Sequence, residues 1–213
     1  KKTLEQGQIY ASSLFLIKEL LNKFNCECVK LKILKDKRYL IKKEIKSLKN
    51  IDMIITTGGV SVGKKDLVKE CLTDLQMKEK FWRVKVKPGK PILFGLLDKT
   101  PFFGLPGNPV STYVCFLLFV CEAIKKINGY NHDIIKSENA FLISDLKNDS
   151  NREAFYRGIF YSSDNQKYVK VLKNQDSSLL KNLSISNCLV KVNPNKTLKK
   201  NTLVDITLLS DHI

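Results

Sequence analysis

Residues 51–65, IDMIITTGGVSVGKK, constrain the fold more than any other stretch. The run 51–56 is short, β-branched and nearly all apolar, which reads as a strand covered on both faces. Thr57-Gly58-Gly59-Val60-Ser61-Val62-Gly63 then turns the chain, and a helical pattern follows from about Lys65 to Met77. A strand hidden on both faces needs helices above and below it. That places it inside an α/β domain and excludes a helical bundle.

The flanking patterns agree. Residues 9–24 set Leu14, Ile17, Leu20, Leu21 and Phe24 along one helical face, residues 26–34 alternate like a strand, and residues 38–48 return to helical spacing. Residues 81–87, 92–97 and 102–104 read as strands. Asn108 as N-cap and Pro109 at the first helical position open a helix to about Ile127, apolar nearly all round and therefore central. After Asn128-Gly129 the pattern changes to short runs at 140–146, 154–161, 167–172, 188–192 and 202–208 between turn-rich connections. The expected fold is a three-layer α/β domain over residues 1–129, a mostly parallel sheet with helices on both faces, followed by a small all-β barrel over residues 130–213.

The formal charge is +16, from 37 basic and 21 acidic residues. The excess lies in residues 1–127, at +13, against +3 beyond them. Arginine is the fork that reads phosphates and guanines, yet only 4 of the basic residues are Arg. The chain therefore reads as Lys- and Asn-rich by background composition, with no nucleic acid as partner. The six cysteines lack paired metal spacing and read as reduced thiols of a cytoplasmic protein, and no apolar run is long enough for a membrane partner.

Four segments carry chemistry. The turn with Gly58, Gly59, Ser61 and Gly63 sits between a buried strand and a helix, where backbone N–H groups and the helix dipole suit an anion. Asp66, in the first turn of that helix, suits a divalent ion held beside phosphate. Arg83, Lys85 and Lys87 share one face at strand period, and Pro88-Gly89 presents Lys90 nearby. Gly104-Leu105-Pro106-Gly107-Asn108-Pro109 is a second rigid strand-to-helix turn; two such turns at strand carboxyl ends face one crevice.

TTGGVSVGKKD, FWRVKVKPGKP and FFGLPGNPVS, in this order, resemble the MoeA family of molybdopterin molybdenumtransferases, to which part of gephyrin is related. The resemblance implies insertion of molybdate into adenylylated molybdopterin (molybdopterin-AMP), with release of AMP and with Mg2+ or a similar ion. It implies that Gly58, Gly59, Ser61, Gly63, Pro106, Gly107, Asn108 and Pro109 hold the pterin's phosphate part, with Arg83 and Lys90 beside the anionic ligand. Asp36, Asp66 and Lys87 match residues tied to activity, and Asp36 and Asp66 are the implied metal ligands. A homodimer and a MogA-like adenylyltransferase are the implied partners.

Three departures stand out. The family's Asp-Ser-Asn after GQI is Ala11-Ser12-Ser13 here, and its Gln-Gly-Ser in the barrel is Gln175-Asp176-Ser177. The chain also corresponds to the C-terminal part of the longer family members, lacking the first strand, and is expected to be inactive alone. The alternatives are a gephyrin-like interaction module, a MogA-like molybdopterin adenylyltransferase, or a basic nucleic-acid binder.

Overall fold

The computed structural model describes residues 10–60, 67–177 and 179–209. A four-stranded sheet, in order β1-β5-β4-β2, forms from β1 (Ile54–Thr57), β2 (Lys78–Trp82), β4 (Leu93–Leu97) and β5 (Thr100–Leu105). Helices cover both faces. On one lie α1 (Ser12–Lys23) and a helical rod, α4 (Pro109–Cys115), a π segment (Phe116–Val120) and α5 (Cys121–Ile127); on the other lie α2 (Arg38–Ser47) and α3 (Leu67–Asp74). Period-two alternation in β5 sends Phe103 and Leu105 to the first face and Phe102 to the second. The rod is buried along most of its length, as its all-round apolarity requires.

The sheet is mixed rather than mostly parallel. β1 runs parallel to β5, but β4 pairs antiparallel with both β5 and β2. The reason is local: Leu97 pairs with Thr100, so only Asp98 and Lys99 connect β4 to β5, and two residues close a hairpin but never a crossover. Residues 26–34 are extended without a ladder partner among the described residues. Their alternation instead separates Lys30 and Lys32, both paired with Glu44 of α2, from the exposed Val29 and Ile33. The strand expected over 81–87 breaks at Arg83, whose φ is +67°, and resumes as β3 (Val86–Lys87).

The second domain contains β6 (Ser137–Leu142), β7 (Leu146–Asn148), β8 (Glu153–Ser163), β9 (Gln166–Val171), the short α6 (Leu180–Ile185), β10 (Cys188–Val192), β11 (Lys196–Leu198) and β12 (Leu203–Leu208). Strands β10, β12, β6, β9 and β8 pair in that order and β8 pairs back to β10, closing a five-stranded barrel. Closure removes the free edges an open sheet would expose. Its core holds Ala140, Leu142, Val169, Val190, Val192 and Ile206. Outside it, Tyr161 stacks on its cross-strand partner Tyr168 at 5.8 Å.

The two domains share a core. Phe155, Leu183, Leu189 and Leu209 from the barrel side join the cluster built on α1 and the rod, and β3 pairs parallel to β8. Among the described residues no helix is long and apolar enough to cross a membrane.

Candidate functional site

The parallel pairing of β1 with β5 brings the two glycine turns together. Thr57 lies opposite Leu105, and the Gly58 N–H donates to the Leu105 carbonyl at 2.9 Å. A Cβ on Gly107 would stand 3.5 Å from the Gly58 Cα, so the two turns touch backbone to backbone. Gly58 and Gly59 have φ of +81° and +71°, values L side chains rarely adopt. A Cβ on Gly104 would meet Val60 Cγ1 at 2.5 Å; the bare glycine lets the first turn lie down on β5. Ser61, Gly63 and Asp66 lie outside the described residues.

Hydroxyls tie down the carbonyls of the second turn. Thr112 Oγ1 donates to the Pro106 and Asn108 carbonyls at 2.6 and 2.9 Å, and the buried Ser13 Oγ donates to the Gly107 carbonyl at 2.7 Å. In a trans peptide the N–H points opposite the C=O. With the Pro106 and Gly107 carbonyls held inward, the N–H groups of Gly107 and Asn108 are displayed on the other side. The Asn108 side chain accepts from the Val110 N–H at 3.2 Å and caps α4, and Pro109 occupies its first turn. Thr56 Oγ1, near the end of β1, is buried without a hydrogen-bond partner among the described residues. The junction offers an anion preset donors beside a helix N-terminus.

Arg83, Lys85 and Lys87 are all exposed while Val84 and Val86 turn toward the core, and Arg83 lies against an aromatic ring. Its guanidinium carbon sits 3.8 Å from the Trp82 ring centroid, and Lys69 Nζ sits 3.4 Å from the same centroid. Two cations so close to one centroid occupy opposite faces of the ring. The Trp82 Nε1–H donates to the Val60 carbonyl at 3.2 Å, so Arg83 braces the first glycine turn through the indole.

Lys87 and Lys90 line a pocket of about 550 Å3 between the domains, together with Ser111, Arg152, Phe155, Tyr156, Gln175, Asp176 and Ser177. The pairing of β3 with β8 sets Lys87 opposite Ala154, and Arg152 Nη1 donates to the Val86 carbonyl at 3.4 Å. Gly89, at φ +121°, leaves no room for a side chain: a Cβ would lie 2.5 Å from Cys115 Sγ. The KPGK loop is thereby pressed onto the rod. Ser111 stands three residues beyond Asn108, so the cationic pocket and the amide turn are about one helical turn, 5 Å, apart along α4.

Asp36 is exposed in the connection leading into α2 and lines neither feature. Among the described residues no three His, Cys, Asp or Glu side chains gather as a metal cage. Sequence reasoning missed Ser13, Arg152 and Arg157. The signal for the arginines was in the composition: in so Lys-rich a chain the four Arg stand out as candidate special positions. Arg38 bridges Glu70 and Asp74, Arg83 stacks on Trp82, Arg152 lines the pocket, and Arg157 is buried behind its wall.

Residues 2–126 match the family model described as a probable molybdopterin binding domain, and residues 139–209 match the MoeA C-terminal region, domain IV. A molybdopterin molybdenumtransferase of Haemophilus influenzae is 37% identical over 192 residues, covering 89% of this chain and 47% of the relative. The molybdenum cofactor synthesis protein cinnamon of Drosophila melanogaster is 36% identical over 195 residues, covering 90% of this chain and 32% of the relative. A crystal structure of a molybdopterin biosynthesis MoeA protein from Pyrococcus horikoshii superposes with a TM-score of 0.74 at 26% identity, over 95% of this chain and 47% of that one. The chain spans less than half the length of these curated relatives. With a molybdopterin-binding domain followed by domain IV, this chain belongs to the MoeA family.

Proposed function

We propose that the chain is the ligand-binding part of an enzyme of molybdenum cofactor biosynthesis that inserts molybdate into adenylylated molybdopterin and releases AMP. One observation carries the reading: the displayed amides of Gly107 and Asn108 and the cationic pocket of Lys87, Lys90 and Arg152 share the start of α4. The first suits the phosphate part of the pterin, with Gly58, Gly59, Ser61, Gly63, Pro106 and Pro109 shaping the cradle. The second suits a tetrahedral dianion, which is what molybdate is. Charge rises at the bridging oxygen as the pyrophosphate linkage breaks, and preset donors stabilise it without reorganising. No side-chain nucleophile is assigned.

Mg2+ would be held mainly by the ligand's own phosphate oxygens, with Asp66 as the protein's carboxylate; Asp36, exposed and away from both features, is not placed to join it. Such an ion, when bound, neutralises phosphate charge. A homodimer, supply of the adenylylated pterin by a MogA-like adenylyltransferase, and a cytoplasmic location belong to the same reading. The Tyr161–Tyr168 stack on the outside of the barrel supports the alternative of an interaction module.

The test is AMP release by the full-length protein given adenylylated molybdopterin, molybdate and Mg2+. Release dependent on molybdate is expected; none beyond the protein-free control rejects the proposal. Residues 1–213 alone are expected to bind AMP weakly and to lack turnover.

A further inference from the structure

Arg157 is the largest fully buried side chain of the described residues, 1% exposed, and it carries a charge. A buried charge is rare and carries a desolvation cost that its hydrogen bonds must offset, so its partners show what it holds in place. Arg157 Nη2 donates to the carbonyls of Asn174 and Asp176 at 3.4 and 3.0 Å, while its Nε has no hydrogen-bond partner among the described residues. Burial pushes the guanidinium pKa down, and Asp176 partly offsets this.

The same segment is tied from its own side. The Arg157 N–H donates to Gln175 Oε1 at 2.9 Å, and Gln175 Nε2 donates back to the carbonyls of Arg157 and Leu172 at 2.9 and 2.7 Å. Beyond the end of β9 a side-chain amide thus takes the place of a strand partner. The Asp176 N–H donates to Asn174 Oδ1 at 2.9 Å, and Asn182 Nδ2 donates to the Asn174 carbonyl. This fixing falls on residues 174–176, of which Gln175 and Asp176, with Ser177, line the pocket that Lys87, Lys90 and Arg152 also line.

We propose that Arg157 is a positioning residue of the interdomain pocket: it never touches the ligand, but its hold on the Asn174 and Asp176 carbonyls sets the wall against which an oxyanion is bound. The inference rests on the reading of the pocket as an oxyanion site. It predicts that a substitution keeping the charge still weakens binding, because both bonds come from the terminal Nη2, a position that the shorter lysine side chain does not reach.

The experiment is calorimetric titration of the full-length protein with sodium molybdate and, separately, sodium sulfate. Arg157→Lys is compared with wild type and with Ile206→Ala, a barrel-core variant whose loss of Tm serves as the stability control. Arg157→Lys is expected to weaken oxyanion binding about tenfold, as small misplacements of binding groups do, while Ile206→Ala leaves it within twofold. Asn182→Ala, at a half-buried residue of α6, is expected to weaken it two- to threefold, about 0.4–0.7 kcal/mol, and decides the matter if Arg157→Lys does not fold. Affinity within twofold of wild type in Arg157→Lys, or in Asn182→Ala where that variant decides, overturns the inference. So does an equal loss in Ile206→Ala, or a wild type that binds neither anion. A wild type that binds sulfate but not molybdate rejects the molybdate reading, and the sulfate arm still decides the role of Arg157.

Discussion

Ser13 Oγ donates to the Gly107 carbonyl at 2.7 Å across 94 positions of sequence. This one bond joins the start of α1 to the second glycine turn, where Gly107 lies against Gly58. It falls at the corner where the family's Asp-Ser-Asn is Ala11-Ser12-Ser13, so a hydroxyl from that corner still reaches the turn.

Ser13→Ala leaves the Gly107 carbonyl without its donor. The expected cost is about 1–3 kcal/mol, read as a lower urea midpoint at unchanged m value. The turn loosens with it, and AMP affinity is expected to fall several-fold in a calorimetric titration. An unchanged AMP affinity alongside the lower midpoint would confine Ser13 to stability.

Gly104→Ala puts a methyl 2.5 Å from Val60 Cγ1 and 3.3 Å from Leu93 Cβ. Overpacking of this kind costs about 1–3 kcal/mol. Because Val60 belongs to the first glycine turn, the variant is expected to lose ligand affinity along with thermal stability. Equal Tm values for variant and wild type would contradict the packing described.

Lys87→Ala and Arg152→Ala each remove one cation from the interdomain pocket. Molybdate affinity is expected to drop about five- to tenfold in each, roughly 1–1.4 kcal/mol, and the remaining affinity should depend less on salt. AMP affinity should change less than molybdate affinity. Parallel losses of both would mean that the pocket and the amide turn are one site.

Trp82 is the only tryptophan, and its indole links Arg83 and Lys69 to the Val60 carbonyl. Ligand binding at the glycine turns is expected to change its fluorescence. Arg83→Ala removes one stacked cation, worth about 0.5–1 kcal/mol at a partly exposed site, and should shift the emission before any ligand is added. Identical emission spectra would argue against the stack.

Burial pushes the Cys115 and Cys188 thiols up to about 12, and it raises Cys121 as well. Unfolded, each titrates near its ordinary value of about 8.5. Such a group favours the folded state fully below that ordinary value, and its contribution is lost as pH rises toward the folded pKa. The urea midpoint is therefore expected to hold to about pH 8.5 and to fall steadily above it. These thiols should resist a disulfide reagent at neutral pH until urea unfolds the chain.

The two glycine turns were legible because their chemistry is local: glycine at positive φ, an asparagine cap and a proline at the first helical position leave few alternatives. Five of the barrel's strands were legible for the same reason, each a short alternating run between turn residues. The hairpin joining β4 to β5 was not, since Asp98-Lys99 carries none of the usual glycine signal. Nor was the break at Arg83, where an alternating pattern continues through a residue that leaves the strand.

By itself the sequence determined which residues turn, cap and hide, and therefore an α/β domain followed by a β domain with its glycine turns at strand ends. Only the tertiary structure decided which distant groups meet. Ser13 on Gly107, Trp82 on the Val60 carbonyl, and Arg157 behind Asp176 are pairings across folded space. Periodicity records which face of an element is buried; it does not record what lies on the other side of the contact.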